Sequence, residues 1–210
     1  MKKHLLLFGI VSFLLASCGG SGEEDVNVED PIVEETCTYS YDPTSTVLTW
    51  TAFKLTEKIG VNGTFDVITV SANDGQEEML DVLLGATFEI PISSLNSQDE
   101  VRDPKLKNSF FGNMAETEMI SGTIISIDEF NAVVDIRMNG LTVEYDGQVT
   151  VEENTVSMNT TIDVLDFEGQ EAMDSLSVVC AEKHTGEDGV NKFWNDVEIV
   201  VKTTLLKECK

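Results

Sequence analysis

Cys180 and His184 stand four residues apart. On a helix that spacing brings a thiol and an imidazole onto one face. Two such groups do not complete a zinc site. The other histidine is His4, so the body of the chain holds no histidine pair for a metal centre or a proton relay. A serine–histidine–aspartate constellation would have to use His184, and no Gly-x-Ser-x-Gly elbow accompanies it. The pair therefore reads as a buried thiol beside a surface histidine. There is no glycine-rich phosphate loop. Glu187-Asp188-Gly189 lacks the ligand spacing of an EF-hand and reads as a solvated acidic loop. The residue types point away from catalysis, and no cofactor is implied.

A second group stands out by its charge. Arg102, Lys105 and Lys107 fall within six residues and lead into the only Phe-Phe pair, Phe110-Phe111. The chain around them has 13 basic and 38 acidic residues, a net charge of −25. So acidic a surface repels nucleic-acid phosphates, and it offers no basic face to anionic lipid.

The N-terminus sets the compartment. Lys2 and Lys3 precede an apolar run, Leu5 to Leu15, that is shorter than the ~20 residues a membrane span requires. Leu15-Ala16-Ser17-Cys18-Gly19 then resembles a bacterial lipobox. Residues 1–17 are expected to be a lipoprotein signal peptide, with Cys18 lipidated as the membrane anchor. Residues 18–36 are Gly/Ser-rich and then acidic, a composition that cannot order itself, and read as a tether. Its acidic start resembles surface-export signals or is a plain spacer. The expected place is the cell envelope, as an outer-membrane lipoprotein facing the periplasm or the cell surface.

Residues 37–210 suit one domain. Their pattern is mainly β. Strands are expected over Thr46–Leu55, Gly63–Ser71, Leu83–Ile92, Met119–Asp128, Asn131–Met138, Leu141–Glu152, Thr155–Leu165 and Asp196–Leu206. Leu84, Ala86, Phe88 and Ile90 alternate with polar residues, as do Val156, Met158, Thr160 and Ile162, and Val197, Ile199 and Val201. A period of two with one apolar face marks half-buried antiparallel strands. Asn139-Gly140 and Asn73-Asp74-Gly75 supply hairpin turns. Asp146-Gly147 would split or bulge the sixth strand. Gln170 to His184 reads as a helix, with Leu176, Val179, Cys180 and Lys183 on one side and Gly186 as its stop. About eight such strands bury their apolar faces best by closing into a barrel, with a two-sheet sandwich as the competing architecture. With Cys18 acylated, three cysteines permit one disulfide and one thiol. Cys37 precedes the first strand and Cys209 follows the last, ends that adjoin in a closed sheet. Cys37–Cys209 is the favoured pair and Cys180 the buried thiol.

Several stretches resemble YceI-like domains. Leu48-Thr49-Trp50-Thr51-Ala52-Phe53-Lys54 and Val61-Asn62-Gly63-Thr64-Phe65 are similar to that family's opening strands. Phe88-Glu89-Ile90 followed by Ser93-Ser94-Leu95 is similar to its third strand. Arg102-Asp103, Leu106 and Phe110-Phe111 carry its most specific signature. The resemblance runs from about Thr44 to Leu206. Two positions depart from it, since Lys54 and Lys105 stand where the family usually has histidine, and the segment from Gln170 to Trp194 is longer than in simple members.

The resemblance implies an all-β, antiparallel, lipocalin-like barrel of about eight strands with one or two short helices. It also implies a polyisoprenoid or fatty-acyl chain as partner, held inside the barrel. Asp99 to Lys107 would form a helical turn at one end, pinned by Arg102 and Asp103, with Leu106, Phe110 and Phe111 as lid or wall. Trp50, Phe65, Phe88, Ile90, Ile124, Ile136 and Met158 would face the guest, and Lys54 or Lys105 its polar head. The alternative is a cell-envelope module whose barrel is filled by its own side chains. A lipid hydrolase or isomerase is a lesser one.

Overall fold

The computed structural model describes residues 35–116 and 118–210. The expected signal peptide, Cys18 and all but the last two residues of the expected tether lie outside them. In chain order the strands are β1 (Cys37–Ser40), β2 (Val47–Lys54), β3 (Ile59–Phe65), β4 (Thr69–Ser71), β5 (Thr87–Pro91), β6 (Leu95–Asn96), β7 (Met119–Ile127), β8 (Asn131–Met138), β9 (Leu141–Glu152), β10 (Thr155–Asp163), β11 (Phe193–Thr204) and β12 (Leu206–Cys209). Two helices accompany them, α1 (Arg102–Lys105) and α2 (Gln170–His184).

Ten strand segments form one antiparallel sheet in the order β4-β5-β7-β8-β9-β10-β11-β2-β3-β6. Its two ends are not separate edges. β4 continues β3 after a three-residue break, and β6 continues β5 after the 3₁₀ turn Ile92–Ser94. The two broken strands pair with each other twice, with Phe65 opposite Leu95 and Val70 opposite Phe88. Between these stretches the Asp66 N–H donates to the Ser94 carbonyl (2.8 Å). Counted as continuous chain, eight strands close into a ring, which leaves no long unpaired edge. β1 and β12 form a separate ribbon, with Cys37 opposite Cys209 and joined to it by a disulfide.

Alternation explains the core. Along β8, Ala132, Val134, Ile136 and Met138 are buried, and the residues between them are more exposed. Asn139 and Gly140 turn β8 into β9 with φ of 53° and 74°, the double left-handed geometry of a tight hairpin. Thr160 is a polar exception on the inner face, satisfied by donating to the Asp146 carbonyl (2.8 Å).

Two expectations need correction. The strand expected over Leu83–Ile92 begins only at Thr87. Before it, Met79–Val82 make a 3₁₀ turn, Gly85 takes φ 73°, and Leu84 is exposed. Asp146-Gly147 does not interrupt β9. Gly147 is there because Met158 passes over it, so that a Cβ would lie 2.8 Å from Met158 Cγ. The register shifts fall instead in β7, between Ile124 and Ser126, and in β11, between Phe193 and Val197.

Candidate functional site

The inner face of the barrel forms one continuous apolar core that opens into a cavity at one end. Within that core, large side chains lie over glycines on the neighbouring strand. Phe88 pairs with Gly122, where an added Cβ would lie 2.3 Å from the ring. Ile90, Ile124, Ile136 and Met158 pack in the same continuous core. None of these five residues borders the cavity described next. Their inward parity follows from the pleat, but they sit in the core away from the cavity.

Toward the end where β2 leaves the barrel and β11 enters it, the core opens into a cavity of about 340 Å³. This is within the range of small-molecule sites. Trp50, Phe65, Leu106, Phe110 and Phe111 line it. Trp50 pairs with Gly63, lies flat over the bare glycine and donates its indole N–H to the Thr64 carbonyl (3.3 Å). Ile120, Met138 and Ile162 form the floor where the strands end, and Val197 and Ile199 add the β11 wall. The β11 bulge presents two consecutive aromatics, Phe193 and Trp194, to the same space, as bulges re-aim side chains.

The lid is the basic stretch. Asp99 accepts the backbone N–H groups of Val101 and Arg102 (both 3.0 Å) and pairs with the Arg102 guanidinium (3.2 Å). These bonds, that of the Arg102 backbone foremost, hold its carboxyl below the usual range. Asp103 does not pair with Arg102. It accepts from the backbone N–H (2.9 Å) and the hydroxyl (2.6 Å) of Ser97 instead, which ties the turn to the end of β6. After α1 the chain widens into a π-helical turn over Leu106–Phe110 and then a 3₁₀ turn over Phe111–Asn113. Phe110 meets Phe111 edge-on, with centroids 4.9 Å apart and planes at 84°, a favoured aromatic arrangement.

Helix α2 makes the remaining wall. Met173, Leu176, Cys180, Lys183 and His184 line the cavity, whereas Val179, expected on that face, is exposed. Cys180 is half-buried, and burial pushes its thiol up despite the lysines nearby. His184 is not the surface residue its sequence context suggested. Its ring stacks on Phe193 (4.1 Å, 26°), and its Nδ1 is buried without a protein partner. Burial, with Lys54, Lys105 and Arg102 adding to it, brings its pKa down to about 4, so the ring is neutral at pH 7. A neutral histidine beside a protonated thiol is a poor nucleophilic pair. The helical period around Cys180 signalled this wall, but nothing in the sequence set Phe193 beneath the imidazole.

The class is thus a closed antiparallel barrel with an apolar chamber at one end, covered by a basic-aromatic turn and a helix. The chain belongs to the YceI-like family, whose model matches residues 39–205. Its fold is similar to a polyisoprenoid-binding domain from Saccharophagus degradans implicated in plant cell wall breakdown (12% identity, TM-score 0.54, 83% of this chain and 99% of that one). It is also similar to BcnA of Burkholderia cenocepacia (14% identity, TM-score 0.53, 80% of this chain and 99% of that one). No curated protein matches it in sequence.

Proposed function

We propose that this protein is a cell-envelope lipoprotein that holds a long apolar chain, polyisoprenoid or fatty-acyl, inside its barrel for transport, storage or protection, without altering it chemically. The observation that carries this reading is the chamber itself. Aromatic and aliphatic side chains leave about 340 Å³ unfilled beside Phe110 and Phe111, at one end of a continuous apolar core. Each methylene moved from water into such a space contributes about 0.8 kcal/mol, so a long chain needs few polar contacts. The fold shared with a polyisoprenoid-binding domain supports the same class of guest.

Native mass spectrometry of the purified protein, followed by organic extraction, tests the reading. A retained isoprenoid or acyl mass is the expected result. A protein that carries no lipid and takes none up would favour a self-filled envelope module instead. Anchoring is tested separately. Cys18→Ala should move the protein from the membrane fraction to the soluble one, and a variant that stays with the membrane would remove the lipid anchor from the proposal.

A further inference from the structure

The chain's few cations are not spread evenly. Of 13 lysines and arginines, four line the cavity: Lys54, Arg102, Lys105 and Lys183. Of the acidic residues among the described ones only Asp99 does, and its charge is matched by Arg102. The three lysines make no ion pair with any carboxylate among the described residues. The pairs found there are Lys58–Asp196, Arg102–Asp99 and Arg137–Glu116. Three lysines thus meet at one wall without a carboxylate partner among the described residues.

The contacts gather them at the C-terminal half of α2. Lys54 Nζ donates to the Lys183 carbonyl (3.3 Å), and Lys105 Nζ to the Val179 carbonyl (2.9 Å). An ammonium has three donors, so each of these lysines keeps two for a ligand. Lys54, Lys105 and Arg102 all act electrostatically on both Cys180 and His184, which places a common positive field over that wall. The wall also carries the unpartnered His184 Nδ1, and a buried polar atom without a partner calls for one.

We infer that the guest is an amphiphile with an oxyanion head, a carboxylate or a phosphate on a long apolar chain, and that Lys54, Arg102, Lys105 and Lys183 seat that head against α2. This assignment rests on the apolar-guest reading above and narrows it. The chain fills the space beneath Trp50, Phe65 and the phenylalanine lid, and the head stays at the rim, where charge-assisted hydrogen bonds hold it.

Calorimetric titration of the full chain, stripped of endogenous lipid, against palmitate, hexadecyl phosphate and hexadecanol separates head from tail. At low salt at least one anion should bind ten times or more tighter than the alcohol. Raising the salt should shrink that ratio, because partly exposed charges are screened. Substituting Lys54→Met, Lys105→Met and Lys183→Met together should bring the ratio below threefold. Lys183→Met alone, at an exposed residue whose side chain makes no hydrogen bond among the described residues, should lower it measurably and decides the matter if the triple variant misfolds. The preferred anion identifies the head. Equal binding of anion and alcohol, or a ratio untouched by salt and by the lysine variants, would show that the lysines serve only the end of α2 and overturn the assignment. Tight binding of inorganic phosphate alone would overturn it in favour of a free-anion site. If none of the long-chain probes binds, the apolar-guest reading itself fails, an outcome distinct from loss of head selectivity.

Discussion

The disulfide that joins the ends of the domain should account for a large share of its stability, and the sequence separation fixes the scale. Cys37 and Cys209 are 172 residues apart. In the chain-entropy description, closing a loop of that length removes about 17 cal/mol/K from the unfolded chain, or about 5 kcal/mol at 25 °C. Domains of this size are stable by about 5–15 kcal/mol in total, so the bridge is a large fraction. Its effect should act through the unfolded state. β12 is exposed along its length, while β1 is half-buried, with Tyr39 packed against the core and joined to Gln76 by two backbone bonds (2.7 and 2.9 Å). The barrel ring does not include the ribbon, so Cys37→Ser with Cys209→Ser should fold to the same structure and retain the cavity. Urea unfolding at pH 7, followed by tryptophan fluorescence, should show the variant about 4–5 kcal/mol less stable than the oxidised protein, with the same far-ultraviolet dichroism before unfolding. A loss under about 2 kcal/mol with an unchanged folded state would refute the loop-entropy reasoning. Collapse of the folded spectrum would refute the independence of barrel and ribbon.

Three further outcomes are expected. Gly63→Ala should cost about 1–3 kcal/mol in urea unfolding, because the new Cβ would lie 2.3 Å from the Trp50 ring and 2.9 Å from the Asn96 carbonyl; an unchanged midpoint would mean that the indole does not lie over that glycine. Phe110→Ala should weaken hexadecanol binding about fivefold and lower stability by about 1–2 kcal/mol, since the ring is half-buried and loses its edge contact with Phe111; binding as tight as the parent's would remove Phe110 from the lid. His184→Asn tests the depressed imidazole. The unfolded chain takes up that proton near the ordinary 6.5 and the folded chain only near 4, so the stabilisation is complete above pH 6.5 and is lost as the pH falls toward 4. Discounted for the ring's partial exposure, it amounts to about 1–2 kcal/mol. Between pH 7 and 5 the parent should therefore lose more stability than His184→Asn, and equal losses would show that the ring is not held neutral.

Most of the ring was legible because closure and alternation are properties of residue type. The parity of β8, β10 and β11, the Asn139-Gly140 turn and the span of α2 all follow from period and turn chemistry. What period could not convey was where a strand stops pairing with one neighbour and resumes with the same neighbour at a shifted register. The break between β3 and β4 and the one between β5 and β6 are set by the ring's need to bend. Pro91 and Ser93-Ser94 mark the second break, where the expected strand accordingly stops at Ile92, but Asp66-Val67-Ile68 carries no turn signal for the first. The strand expected from Leu83 failed for a local reason, the left-handed Gly85, which an alternation of Leu84, Ala86 and Phe88 conceals.

The cavity shows a different limit. Parity says which side chains face inward, but a cavity exists only where inward side chains fail to meet, and that depends on depth and volume together. Trp50 and Phe88 illustrate it. Both are aromatic, both face inward, and both lie over a glycine on the neighbouring strand. Phe88 sits at a level where Ile124 and Ile136 complete the packing, so its ring closes the core. Trp50 sits nearer the end, where the strands diverge toward the lid and α2, so its ring becomes a wall with space beside it. Asp99, which borders the cavity, and Asp103 fix the turn of the lid through Arg102 and Ser97, and Phe110 and Phe111 line the space that remains. The positions where this chain carries Lys54 and Lys105 instead of the family's usual histidines lie at this same rim. A lysine there brings three donors on a long flexible stem where a histidine would bring a flat ring, which suits the oxyanion head proposed above.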